Sequence, residues 1–129
     1  MSMLDSAVIL SLAAGSLAGG FARYWFAGYI YRIFGTSFPY GTFAVNMTGC
    51  FLIGAFDALA NERFVLGPSA RLLLMTGFCG AFTTFSTLIL ETSNLMKGGD
   101  LARALLNALG SLLIGLILFR LGALAGRLL

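Results

Sequence analysis

Four long apolar stretches, each separated from the next by a short polar run, set the pattern of the chain: residues 7–30, 41–60, 71–96 and 102–124. Each is close to the roughly 20 predominantly apolar residues that a helix needs to cross a bilayer. The interruptions "YRIFGTSFPYG", "NERFVLGPS" and "KGGD" carry the Gly, Pro or Asn of turns. Connections this short run successive helices antiparallel. Residues 1–129 are therefore predicted to form one all-α domain of four transmembrane helices, with no room for a second domain. The N-terminal "MSMLDSAVILSLAAG" lacks a positive leading segment and its apolar run outlasts a signal peptide, so it reads as the first span and not as a cleaved leader.

Small residues mark where the helices should touch. Gly15 and Gly19 stand four apart in the first span, Gly49 and Gly54 lie in the second, and Gly122 and Gly126 stand four apart in the fourth. Glycine lets backbones approach closely where lipid supplies no hydrophobic drive, although glycine is also simply common in membrane helices.

Composition agrees with the pattern: 59% of the 129 residues are hydrophobic and only 10% charged, far from a soluble domain. The net charge of +3 comes from singly scattered cations, which form no basic stripe for nucleic acid. Histidine is absent, and Cys50 and Cys79 sit in apolar runs without companion ligands. That argues against zinc, a c-type haem and a Cys/His nucleophile, and leaves both cysteines as packing residues.

The cations also bear on orientation, because cytoplasmic loops collect Lys and Arg. Arg63, Arg71, Arg120 and Arg127 fall on one side and Arg23, Arg32, Lys97 and Arg103 on the other, four against four. Arg23 and Arg120 could each lie inside a span, which leaves the balance unchanged. A chain without bias can insert both ways up, and two opposed copies would form the inverted repeat that many transporters build within one longer chain.

Polar side chains inside spans are expensive and mark ion or substrate paths. The candidates here are Asn46, the run Thr83, Thr84, Ser86 and Thr87, then Glu91, Asn107 and Ser111. Thr83 with Thr87, and Asn107 with Ser111, are four apart and would share helix faces, so that together they could line one track. Hydroxyls and amides donate hydrogen bonds, and a phenyl edge such as that of Phe85 is electropositive. Such a track suits a small, hard anion. The competing reading is that each Ser or Thr back-bonds to its own helix. Gly77, Gly80 and the Thr83–Thr84 pair make the third span the place for a helix to unwind, and released carbonyls there would fit a buried Na+.

The stretches "GSLAGGFARYW", "GTFAVNMTGCFLIG" and "TGFCGAFTTFST" closely resemble the bacterial fluoride channel family, Fluc or CrcB, over nearly the whole chain. The resemblance implies a passive, fluoride-selective channel of the bacterial inner membrane that exports F- and protects against its toxicity. It further implies an antiparallel, dual-topology homodimer with two pores and a structural Na+ on the two-fold axis. On that resemblance the pore asparagine is Asn46, the box phenylalanine Phe85, the pore hydroxyls Ser86, Thr87 and Ser111, the arginine Arg23 and the vestibule glutamate Glu91. The Na+ would be held by the backbone carbonyls of Gly80 and Thr83. Two positions depart: Leu88 stands where relatives carry a second phenylalanine, and Asn107 where they often carry an aromatic or histidine.

The main rival is a small, dual-topology, proton-coupled multidrug exporter. That chemistry needs a carboxylate embedded in the membrane, typically in the first span, whereas Asp5 precedes that span and Glu91 lies near the end of the third. A non-transporting subunit of a larger complex would leave the clustered hydroxyls unexplained. No base, nucleophile and metal can be assembled into an enzyme site.

Overall fold

A computed structural model describes residues 5–129; Met1 to Leu4, the start of the N-terminal run read as a span, lie outside the described residues. The described chain is all helical, and four helical runs are long and apolar enough to cross a membrane. Asp5 caps α1 (Ser6–Phe34) by accepting from the Ala7 N–H at 3.0 Å. The helix ends at Gly35, whose φ of 83° suits glycine. It outruns the expected span because "YRIF" is apolar enough to stay helical up to that glycine. Next comes α2 (Tyr40–Asn61). Its last turn is closed from outside: the Arg71 guanidinium donates to the Ala60 carbonyl at 2.6 Å and to Asn61 at 3.0 Å, a cation on the negative end of the helix.

The third span, Pro68–Lys97, is composite. It begins with a turn, α3 (Pro68–Arg71), passes into a π-helical segment (Leu72–Cys79), tightens again in α4 (Gly80–Phe82), and then breaks. Thr83 (φ -93°, ψ 158°) and Thr84 (φ -149°, ψ 113°) are extended, after which α5 (Phe85–Lys97) resumes. The final span is α6 (Leu101–Leu128), capped by Asp100, which accepts from the Arg103 N–H at 3.0 Å.

The break lets the third span change neighbours. Its first half, through the π segment and α4, packs on α1, whereas α5 packs on α6. Between them α2 touches α1 and lies most extensively along α6. The expected small-residue contacts are present. A methyl at Gly15 or Gly19 would strike the Leu73 or Phe78 carbonyl of the π segment, and one at Gly54 or Gly122 the Phe119 or Phe51 carbonyl across the α2–α6 seam. Backbones this close leave no room for a side chain.

Arg63, Arg71 and Arg127 gather at one end of the bundle. Arg63 donates to the Arg127 carbonyl at 2.8 Å, and Arg127 pairs with Glu62 through a second bond of 3.0 Å. That pairing holds the Glu62 carboxyl below the usual carboxylate range. Arg103 reaches the Ser37 carbonyl at the other end. Arg23 and Arg120 lie well within their helices, 11 residues before the end of α1 at Phe34 and 8 before the end of α6 at Leu128. The other cations lie at or near helix ends, so removing one from each side leaves three against three.

Candidate functional site

The break exposes backbone groups of opposite character. The chain up to Phe82 ends in freed carbonyls, a preference for cations, while α5 begins with freed N–H groups, a preference for anions. Three side chains manage them. Thr84 is the N-cap of α5: its hydroxyl accepts from the Thr87 N–H at 3.2 Å and lies 3.0 Å from the Thr87 hydroxyl and 3.3 Å from that of Ser86. Arg23, midway along α1, donates to the Ala81 carbonyl at 3.0 Å. Asn46 clamps the break from α2, its Nδ2 donating to the Thr84 carbonyl at 3.1 Å and its Oδ1 accepting from the Thr84 N–H at 2.8 Å. Thr84 thus gains from one side chain the paired bonds a strand neighbour would supply.

Two sequence expectations change here. The break does not use glycine freedom: Gly80 is helical (φ -61°, ψ -37°) with open space where its side chain would be, and the extended residues are Thr83 and Thr84. Nor do Thr83 and Thr87 share a helix face, because the break falls between them. Thr83, the residue that ends α4, back-bonds through its hydroxyl to the Cys79 carbonyl at 2.8 Å, the local bond open to a threonine four residues after a carbonyl.

The candidate residues divide into two groups where one track was expected. Asn46, Thr83, Phe85, Leu88 and Ser111 line an apolar cavity of about 420 Å³. In it Phe85 is 74% exposed, and the buried Ser111 hydroxyl has no partner among the described residues. Arg23, Thr87 and Glu91 line a second cavity of about 320 Å³. Thr84 lines both. Ser86 is exposed beside the N-cap and lines neither. Asn107 is 1% exposed and donates to Thr92 at 3.0 Å, tying α6 to α5; Thr92 in turn donates to the Leu88 carbonyl at 2.7 Å.

Three participants escaped sequence reasoning: Thr84 as cap, Thr42 and Tyr31. Thr42 donates to Glu91 Oε1 at 2.6 Å, and its hydroxyl lies 3.4 Å from that of Tyr31. Thr84 is of a residue type that often caps a helix, but with Thr87 and not Glu or Gln three positions on, the sequence carries no capping box to mark it. Tyr31 falls just past the first expected span, where tyrosine is common at the membrane interface and its position alone points to no partner.

Among the described residues no cluster of His, Cys, Asp and Glu could hold a metal. The carbonyls of Gly80, in α4, and Thr83, in the break, lie within one short stretch, and that of Thr83 accepts no hydrogen bond from a described residue. They are the oxygen donors a hard cation takes, so the residues present fit a Na+ site, with further ligands needed from elsewhere.

Comparison with known proteins agrees in extent with this architecture. A protein of Maridesulfovibrio salexigens named fluoride-specific ion channel FluC is 48% identical over 119 residues, covering 92% of this chain and 94% of that one. Proteins of the same name from Chlorobaculum tepidum and Solidesulfovibrio magneticus are 48% identical over 120 residues and 40% identical over 126, covering 93% and 98% of this chain and 94% and 99% of theirs. The family profile described as CrcB-like protein, Camphor Resistance (CrcB), matches residues 10–123, a stretch that runs from α1 through α6. With the match spanning all four membrane-length helices and the broken third span, this multi-pass membrane protein belongs to the CrcB family.

Proposed function

We propose that the chain is a fluoride-selective passive channel of the bacterial inner membrane, which exports F- from the cytoplasm and limits its toxicity. The observation that carries the reading is the identity of 40–48% over nearly the full length of relatives named fluoride-specific channels. The site supports it chemically. Hydroxyls, an amide and an aromatic edge can replace water around a small anion, and the unpartnered Ser111 hydroxyl and exposed Phe85 face one cavity. A passive channel is no enzyme. The exporter reading finds less support, since α1 carries no carboxylate and Glu91 in α5 is engaged by Thr42. In KF- or KCl-loaded liposomes given valinomycin, fluoride should leave rapidly without a proton gradient while chloride stays. Equal chloride efflux, or an absolute need for a proton gradient, overturns this function.

The working form on this reading is an antiparallel homodimer in the lipid bilayer, with Na+ held between copies by the Gly80 and Thr83 carbonyls. Its supports are the three-against-three cation balance and the 74% exposure of Phe85, a ring that a second copy would cover. A single cysteine in "KGGD", on a background lacking Cys50 and Cys79, should be labelled from both sides of the membrane in similar shares. Labelling from one side alone refutes dual topology.

A further inference from the structure

On the Glu91 side of α5 there are two cavities, and Tyr31 and Glu91 are the two residues that line both. The outer one, about 320 Å³, is bounded by Thr36, Ser37 and Pro39 between α1 and α2 and by Asn94 near the end of α5. Its place at the end of the bundle makes it the mouth. The inner one reaches Arg23, Thr84 and Thr87. Tyr31 and Glu91 therefore stand at the neck between the mouth and the break.

The Tyr31 ring has a built seat. A side chain on the buried Gly41 would overlap ring atoms Cδ2 and Cε2, so the ring lies in the space that glycine leaves open. Its hydroxyl is fixed as well. Thr42 has one hydroxyl proton, which goes to Glu91 Oε1 at 2.6 Å, so Tyr31, 3.4 Å away, is the donor to Thr42. The chain of donors runs from Tyr31 through Thr42 to the carboxylate. Glu91 Oε2 remains buried without a partner among the described residues.

We propose that Tyr31 is the steric limit of the entry path, its ring and the Glu91 carboxylate forming the neck that a hydrated anion must pass before it reaches Arg23 and Thr87. This rests on the channel reading. The ring supplies the limit and the hydroxyl only steadies it, because the seat on Gly41 holds the ring without the 3.4 Å bond.

The test separates passage through the neck from fluoride flux. A reporter, Ala27→Cys, lines the inner cavity and a second, Ser37→Cys, the outer; each is placed in the full chain with Cys50→Ala and Cys79→Ala and reconstituted in liposomes. The probe is the membrane-impermeant anion methanethiosulfonate ethylsulfonate. Tyr31→Ala should raise the modification rate at position 27 about tenfold and Tyr31→Phe change it less than about twofold. The rate at position 37 should be alike in all three proteins. Equal rates at position 27 with Tyr31→Ala and with Tyr31 overturn the proposal, as does an equal rise in Tyr31→Ala and Tyr31→Phe. If Tyr31→Ala does not purify folded, Tyr31→Leu replaces it, with the same direction expected. Absent fluoride flux alongside the expected rates would sink the channel reading and leave the neck standing.

Discussion

Asn46→Ala should lose both folded stability and ion flux. The side chain is 9% exposed and makes both its hydrogen bonds to the Thr84 backbone, at 3.1 and 2.8 Å. Truncation leaves an N–H and a carbonyl unpaired in the middle of the third span, where lipid offers no substitute. Each orphaned group costs about 1–3 kcal/mol, so the pair is worth about 2–6 kcal/mol, a large fraction of the stability of a small domain. Asn46→Asp keeps the acceptor for the Thr84 N–H and loses the donor to its carbonyl, and should fall between alanine and wild type in thermal unfolding. The assignment of Asn46 as an ion-binding donor makes a different forecast: the alanine variant would lose flux at unchanged melting temperature. Thermal unfolding of the purified protein beside liposome flux distinguishes the two. Unchanged stability in Asn46→Ala would mean that the break does not depend on the clamp.

The four spans were legible because hydropathy over some twenty residues is a local property, and turn residues punctuate it. Close helix contacts at Gly15, Gly19, Gly54 and Gly122 were legible for a similar reason: missing side chains say where backbones can meet. The π segment was not. Widening Leu72–Cys79 by one residue per turn has no compositional signature and accompanies the fit of that segment to α1. The broken third span was expected at Gly77, Gly80 and the Thr83–Thr84 pair; of these only the threonines are extended, and the backbone of Thr84 is held by Asn46, 38 positions away in sequence. A bond between distant residues cannot be read from either alone. The same break explains why one expected polar track became two groups, since helical spacing stops being a guide once the helix stops. Tyr31 was invisible because its meaning depends on the glycine it rests on and the hydroxyl it meets, both on another helix.

Phe85→Ile should nearly abolish fluoride flux in protein that still purifies folded, and the geometry makes the cause separable from packing. Phe85 follows the N-cap of α5, is 74% exposed, and shares its cavity with Asn46, Leu88 and Ser111. Among the described residues it stacks on no other ring. Within one chain its replacement by another apolar residue therefore removes few contacts, and stability should move by less than about 0.5 kcal/mol. What isoleucine cannot supply is the electropositive ring edge. Leu88, the neighbouring position on that cavity, offers none either, so nothing beside Phe85 can take over. A ring-edge contribution near the top of its range, about 1.5 kcal/mol, corresponds to about a tenfold fall in rate for one ring, and the loss compounds if a pore needs rings from both copies. Leu88→Phe adds an edge to the same cavity and should remain active. Near-normal flux in Phe85→Ile would assign fluoride recognition to hydrogen-bond donors alone, with the unpartnered Ser111 hydroxyl the first of them to test.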